Sequence, residues 1–264
     1  MASPWREVFT ILGFPLRGSC RRRRLMRGKV LMYSYNSRVG FSMVDSDKNI
    51  TINSIVDFFQ DCATFHSEDI GVGYDYLTPK DIVWVVNTWQ IDIFRFPRYL
   101  DRVTIETLPY KYRGFLGYRN FRILDEKGET LVIGNSMWSL INTKTMKPEM
   151  ITPEHSAIYG DAQPLEMDYQ KGKIRVPDDA KEGEEILVTQ FFLDPNKHVN
   201  NGEYVNIAMT FLPEGFKMKR MRAEYRAQAF LGDTIKPAYG EKDGKYTVSL
   251  NNVDGKPYAV LEFE

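Results

Sequence analysis

The sequence predicts an α+β fold in which two antiparallel sheets are each wrapped around a long helix. Three observations carry that reading. A helix-like stretch with one wide apolar face precedes a run of strand-like segments, the same order recurs in the second half, and a short polar motif ahead of each helix matches its counterpart without gaps. With 264 residues and 43% hydrophobic composition, the chain can bury a large core as one large domain or two of ordinary size.

The first 31 residues stand apart. Arg6, Arg17, Arg21, Arg22, Arg23, Arg24, Arg27 and Lys29 face a single acid, Glu7, so the zero formal net charge of the whole chain is a basic arm balanced by an acidic remainder. The apolar run from Val8 to Leu16 is short, is broken by Gly13 and Pro15, and has its arginines after it, which fits neither a signal peptide nor a membrane span. Three readings of this arm stay open: an upstream stretch read from a misplaced start with Met32 the true start, an organellar targeting peptide, or a basic tail for nucleic acid or anionic lipid. None predicts a packed structure, and function is sought beyond it.

Ile50 to His66 carries Ile55, Phe58, Phe59, Cys62 and Phe65 at spacings of three and four, the mark of a helix with one apolar face. Val83 to Phe96, Leu100 to Leu108, Leu116 to Leu124 and Thr130 to Ile141 are rich in β-branched and aromatic residues, with the turn Asp125-Glu126-Lys127-Gly128 between the last two. They predict an antiparallel meander. Residues 142 to 176 are rich in Pro, Lys, Glu and Asp without sustained periodicity, as in a linker. Residues 199 to 212 return to helical spacing through Val205, Ala208, Met209 and Leu212, and strands follow at Lys217 to Phe230, Asp233 to Tyr239, Lys245 to Leu250 and Pro257 to Phe263. Asp243-Gly244 and Asp254-Gly255 supply turns between them.

Duplication explains the recurrence. Val44-Asp45-Ser46-Asp47-Lys48-Asn49-Ile50 lies on Leu193-Asp194-Pro195-Asn196-Lys197-His198-Val199 at one offset (194 − 45 = 149). Each half is then a hotdog, a curved antiparallel sheet around a long helix, and the chain is a tandem (double) hotdog whose sheets can join edge to edge. The expected organisation is an N-terminal repeat over 32–145, a linker over 146–172 and a C-terminal repeat over 173–264.

The two copies differ where chemistry could sit. Asp47 and Asn49 of the first copy are replaced by Asn196 and His198 in the second, beside the shared Asp194. A carboxylate, an amide and an imidazole at alternate positions before a helix can orient water and polarise a carbonyl. Asp194 is also an ordinary capping and turn residue type, and His66 and His155, which have no such neighbours, read as structural. Two cysteines, Cys20 and Cys62, and three histidines offer no disulfide framework and no paired metal-ligand spacing, so a reducing cytosol and a metal-free, cofactor-free site are expected.

The segment Asp194-Pro195-Asn196-Lys197-His198-Val199-Asn200-Asn201, taken with Arg222-Ala223-Glu224-Tyr225, resembles the acyl-acyl carrier protein thioesterases of plants and bacteria. Tyr33-Ser34-Tyr35-Asn36-Ser37-Arg38-Val39 and Val44-Asp45 are similar to the start of the bacterial members, so the likeness runs from about residue 32 to 264. The resemblance implies hydrolysis of the thioester that joins a fatty acyl chain to the phosphopantetheine arm of acyl carrier protein. It implies Asp194, Asn196, His198 and Glu224 as catalytic residues. Plant members have a cysteine directly after that glutamate where this chain has Tyr225, so a thiolate mechanism is not available there. The scheme expected is that Asp194 attacks or activates water, Glu224 shares or orients that water, Asn196 holds its neighbours, and His198 donates to, or relays protons around, the tetrahedral intermediate, with backbone N–H groups at the helix start completing an oxyanion hole.

The resemblance also places the acyl pocket in the first half, where Phe58, Phe59, Cys62 and Trp89, with Trp84 and Trp138, are candidates for its lining. Plain core is the competing reading of that aromatic stripe. An acidic carrier protein calls for a basic docking surface, for which Lys217, Lys219, Arg220 and Arg222 are the candidates and Arg95, Arg98 and Arg102 a second cluster. Partners expected are acyl carrier protein and, at an exposed sheet edge, a second copy of the chain, with no nucleic acid and no membrane span. The alternatives are an acyl-CoA thioesterase, a hotdog hydratase or dehydratase, and a non-enzymatic acyl-binding module, which the fold alone does not separate.

Overall fold

The computed structural model describes residues 32–160, 162–194 and 196–264; the basic arm, and with it the question of Met32 as start, lies outside the described residues. The elements run β1 Tyr33–Arg38, α1 Ile52–Asp69, α2 Tyr74–Leu77, β2 Ile82–Ile93, β3 Arg102–Arg113, β4 Leu116–Leu124, β5 Thr130–Asn142, β6 Lys147–Pro148, α3 Pro153–Tyr159, β7 Lys181–Glu182, β8 Ile186–Leu187, α4 Asn201–Met209, β9 Arg220–Tyr225, β10 Thr234–Lys242, β11 Lys245–Asn251 and β12 Pro257–Phe263. The strands form one sheet in the order β1-β3-β4-β5-β2-β9-β12-β11-β10-β7, with β6 added at β5 and β8 at β10. Every described pairing is antiparallel. The halves meet where β2 pairs β9, from Thr88 opposite Glu224 to Asp92 opposite Arg220. Joining there hides one edge from each half, the arrangement expected of a double hotdog.

α1 forms because its apolar residues recur at helical spacing and because the Thr51 side chain accepts the Ser54 N–H at 3.2 Å, capping its first turn. Ile52, Ile55, Val56, Phe58, Phe59 and Cys62 are buried against the sheet. Phe65, expected on the same face, is 42% exposed and packs edge-on against Tyr35. Contact at the centre of the first half is close enough to require glycine, since a Cβ at Gly134 would lie 2.7 Å from the Phe59 ring. α4 is shorter, capped by Asn200, whose Oδ1 accepts the Gly202 N–H at 2.8 Å. α1 and α4 touch at the centre of the molecule, where a Cβ on Gly202 would lie 1.8 Å from Asn53 Oδ1.

The duplication is exact in hydrogen bonding ahead of the helices. Thr51 N–H bonds to Met43 O and Asn200 N–H to Phe192 O, and tight helical turns at Phe41–Met43 and Gln190–Phe192 precede them at the same 149-residue offset (192 − 43 = 149). After the helices the offset falls: Arg98 N–H bonds to the Asp101 carboxylate and Phe230 N–H to the Asp233 carboxylate (233 − 101 = 132). The difference is accounted for by the longer α1 and the segment through α2, which have no equal in the second half.

The segment read as a linker carries secondary structure of its own. It contains β6 and α3, and beyond them residues 165–174 run as a strap over the sheet face that points away from the helices. Leu165 N–H and Tyr169 Oη–H both donate to Asn120 Oδ1, and Gln90 bonds to Asp168 O and Gln170 N–H. No helix among the described residues is long and apolar enough to cross a membrane.

Candidate functional site

The Asp194 loop is built by its own side chain. Asp194 Oδ1 accepts the backbone N–H of Asn196 at 2.8 Å and of His198 at 3.1 Å, while Asp194 N–H bonds back to His198 O at 2.8 Å. Lys197 takes the left-handed conformation, φ 65°, that closes the turn. The first half repeats this bond for bond: Asp45 Oδ1 accepts from Asp47 and Asn49 N–H, both at 2.9 Å, and Lys48 has φ 64°. Asp45 and Asp194 therefore share a structural task, and the shared carboxylate explains why the spacing persists where the chemistry does not.

What the second loop adds is exposed or half-exposed polar chemistry. Asn196 is exposed and its amide approaches Asp194 Oδ2 at 3.4 Å. The His198 ring meets Phe230 edge to face at 5.0 Å between centroids, and neither ring nitrogen has a hydrogen-bond partner among the described residues. At the head of α4, Asn200 takes the N–H groups of Gly202 and Glu203, leaving the Asn201 N–H as the open donor of the first turn. Asn201 is itself held in place, its amide donating to Gln60 Oε1 of α1 at 3.1 Å and its carbonyl accepting from Tyr225 Oη at 3.0 Å.

Glu224 is not brought to this loop. Tyr225 and Ala223 point to the helix side, so Glu224 points to the opposite face of β9, where its Oε1 accepts the Ile174 N–H at 2.7 Å and its Oε2 pairs with Arg226 at 2.7 Å. Its observed work is to hold the strap and an arginine. The geometry thus separates Glu224 from the other three residues expected to act with it.

The candidate pocket residues need a similar correction. Phe58, Phe59, Cys62 and Trp89 are buried core, with Phe59 stacked on Trp89 at 6.0 Å and on Phe121 at 4.9 Å. Burial pushes the Cys62 thiol up to about 12, so it is no nucleophile. The open space lies farther along α1: a cavity of about 220 Å³ whose lining includes Ala63, Ser67, Trp84, Arg119, Trp138 and Tyr159. Trp84 of β2 and Trp138 of β5 line this cavity, whereas Phe58, Phe59, Cys62 and Trp89 do not.

The basic docking cluster also divides. Arg220 clamps Asp92 with two bonds at 2.6 and 3.0 Å and approaches Asp168, and Arg222 bonds to Glu262 at 3.1 Å and to Gly172 O. Both guanidinium groups are committed to the sheet and strap. Lys217 and Lys219 are exposed and have no ion-pair partner among the described residues. Arg95 and Arg102 pair with Asp125 and Glu126, and Arg98 donates to Asp47 O.

Arg119 and Asp57 escaped the sequence reading. Arg119 is buried at the cavity with its Nη1 3.0 Å from His66 Nδ1, and burial together with that guanidinium lowers the His66 pKa to about 3. Asp57, on the α1 surface near Glu203, is pushed up to about 6 by burial, then by Asp61 and Glu203. The signal for Arg119 was the alternation of β4, which puts it on the same face as Phe121 and Ile123.

Residues 29–159 match the model of the acyl-ACP thioesterase N-terminal domain and residues 176–259 that of the C-terminal domain. The palmitoyl-acyl carrier protein thioesterase of Arabidopsis thaliana, a chloroplastic protein, is 24% identical over 216 residues, covering 75% of this chain and 52% of that protein. The oleoyl-acyl carrier protein thioesterase 2 of the same plant is 25% identical over 244 residues, covering 83% and 66%. This chain thus spans about half the length of the plant palmitoyl relative. Among solved structures, an acyl-ACP thioesterase from Bacteroides thetaiotaomicron superposes with TM-score 0.81 at 20% identity over 88% of this chain and 96% of its own. The 12:0-ACP thioesterase from Umbellularia californica superposes with TM-score 0.79 at 19% identity, over 90% and 98%. At these identities the superpositions establish the double-hotdog fold.

Proposed function

The chain belongs to the acyl-ACP thioesterase family, and from that premise we propose that it hydrolyses the thioester of fatty acyl-acyl carrier protein to free fatty acid and carrier protein thiol. The observation that carries the proposal is the contrast between the twin loops. One backbone frame is kept in both halves, and only the second furnishes it with Asn196 and a His198 whose ring nitrogens are open.

The reaction adds a water oxygen to the acyl carbonyl and expels sulfur, which leaves as thiol after gaining a proton. In this reading His198 takes the water proton and returns one to sulfur, Asp194 Oδ2 and the Asn196 amide hold the water, and the Asn201 N–H faces the developing oxyanion. Asp194 Oδ1 is already filled by two backbone donors, so Oδ2, which accepts only the long 3.4 Å bond from the Asn196 amide, is the oxygen left for this task. Glu224 drops out of the water-handling set and steadies β9 from behind. The first half supplies the acyl pocket through its cavity, and the free Lys217 and Lys219 remain of the proposed docking patch. A cytosolic location, a metal-free site and pairing of two copies at a sheet edge belong to the same reading.

The test is thiol release from acyl carrier protein thioesters across a ladder of acyl lengths. Hydrolysis releases thiol; hydration or dehydration leaves the thioester intact, and a binding module leaves the substrate unchanged. Steep salt inhibition with carrier-bound substrate, set against weak salt dependence with a small thioester, supports basic docking. Absence of thiol release at every length overturns the proposal.

A further inference from the structure

The cavity of the first half has an unexpected wall for a hydrocarbon pocket. Beside Trp84, Trp138 and Tyr159 it includes Arg119, a residue only 8% exposed. Arg119 Nη1 lies 3.0 Å from His66 Nδ1 and donates to Thr107 Oγ1 at 3.3 Å, and the Tyr159 ring centroid lies 5.6 Å from the guanidinium carbon. His66 is neutral at ordinary pH, its pKa lowered to about 3, so it offers a lone pair and no charge. Among the described residues no carboxylate pairs with Arg119, and its Nε and Nη2 have no hydrogen-bond partner. Glu68 also lines the cavity, but it is exposed and its carboxylate accepts the Tyr74 N–H.

A buried, uncompensated cation is costly, and a methyl-ended chain pressed against it removes water while returning nothing. The two free edges of this guanidinium form the fork that matches a carboxylate with two parallel N–H···O bonds. Gln60, bonded to Asn201 at the head of α4, and Ser67, at the cavity, lie on one helix with roughly 10 Å of rise between them.

We propose that this cavity takes an acyl chain whose far end carries an oxygen acceptor, a carboxylate above all, with Arg119 as the residue that selects it. Nε–H and Nη2–H donate to the two oxygens of the chain end, while His66 and Thr107 hold Nη1 and fix the plane of the fork. The proposal rests on the thioesterase reading and narrows it to acyl chains bearing an ω-carboxylate.

The experiment compares carrier protein thioesters matched carbon for carbon, one series methyl-ended and one ω-carboxyl-ended, with thiol release as readout. At the best length the carboxyl-ended series is expected to show a kcat/KM higher by about tenfold or more, as a charge-assisted pair allows. Arg119→Met should reverse the preference mainly through KM, and Arg119→Lys, which keeps charge but not the fork, should fall between. Preference for the methyl-ended series at every length by the wild-type protein overturns the inference while leaving the thioesterase reading intact, and needs no variant to fold. If neither series is cleaved, the thioesterase reading fails, and calorimetric titration with monomethyl suberate and methyl octanoate, which differ only in the one free carboxylate, then decides the cavity by itself. Tighter monomethyl suberate binding that is lost in Arg119→Met or Arg119→Lys upholds it, and equal or weaker binding sinks it.

Discussion

Asp45 and Asp194 occupy the same place in the two halves: each carboxylate closes its loop by accepting two backbone N–H groups, at 2.9 and 2.9 Å in the first and 2.8 and 3.1 Å in the second. Substituting either by Ala removes a side-chain cap from two exposed or half-exposed backbone donors, at a cost of about 0.5–2 kcal/mol. The expected outcome is a similar loss of stability in Asp45→Ala and Asp194→Ala by urea unfolding, with loss of thioester hydrolysis in Asp194→Ala alone. Equal loss of turnover in a folded Asp45→Ala variant would show that the loops do not differ in chemistry.

His198 and Asn196 should behave in the opposite way. Their side chains carry little of the fold, since the His198 ring rests on the half-exposed Phe230 and Asn196 is exposed. His198→Gln and Asn196→Ala are expected to unfold within about 0.5 kcal/mol of the parent. Turnover should drop about 10²–10⁴-fold in His198→Gln, the range of a lost general acid–base group. Unfolding curves and single-turnover rates on the same preparations check the pair.

Glu224→Gln tests whether Glu224 holds the strap or takes part in the reaction. The amide can still accept the Ile174 N–H but loses the charge that holds Arg226, whose guanidinium also donates to Ile174 O. Stability is expected to fall by about 1–2 kcal/mol, with kcat within a fewfold of the parent. A hundredfold fall in kcat at unchanged stability would return Glu224 to the reaction.

Why the sequence showed the fold so fully and the site only in part follows from these residues. Strand and helix periods are local, so β4, β11 and β12 lie where alternation and turn residues set them, and the twin loops announce themselves by residue type. The direction of Glu224 depends on which face of β9 is covered, and both are: one by α4, the other by a strap whose sequence has no period. Arg220 and Arg222 look like a solvated basic face for the same reason, because their partners Asp92 and Glu262 arrive from neighbouring strands. On α1 the apolar stripe is continuous, and only the small residues Ala63 and Ser67 mark where packing gives way to open space.

That distinction makes the pocket testable on both sides. Phe59→Ala removes a fully buried ring from the stack with Trp89 and Phe121 and should cost about 3–5 kcal/mol with little change in relative chain preference. Trp84→Leu and Trp138→Leu, at the cavity wall, should instead shift the distribution of acyl lengths released. Product profiles by mass spectrometry, read beside unfolding midpoints, separate core from pocket. A shifted profile in Phe59→Ala with unchanged profiles in both tryptophan variants would reverse the assignment.

Asp57 gives the fold a pH dependence of known direction. Burial, then Asp61 and Glu203, raise its pKa from 3.8 to about 6, so between those values the unfolded chain has released a proton that the folded chain still holds. Stability contributed by the protonated form is full below about pH 4 and is lost as pH rises through about 6. His66 acts in reverse: with its folded pKa lowered to about 3, it costs stability as pH falls below the 6.5 of the unfolded chain. The two effects overlap in the wild-type profile and separate in a difference, because Asp57→Asn removes one and keeps the other. Asp57→Asn is therefore expected to match the parent near pH 4 and to become the more stable protein as pH rises, levelling off above about pH 6. Urea unfolding of both proteins across that range reads the difference directly. A gap independent of pH would mean that the Asp57 carboxylate is as well solvated in the folded chain as in the unfolded one.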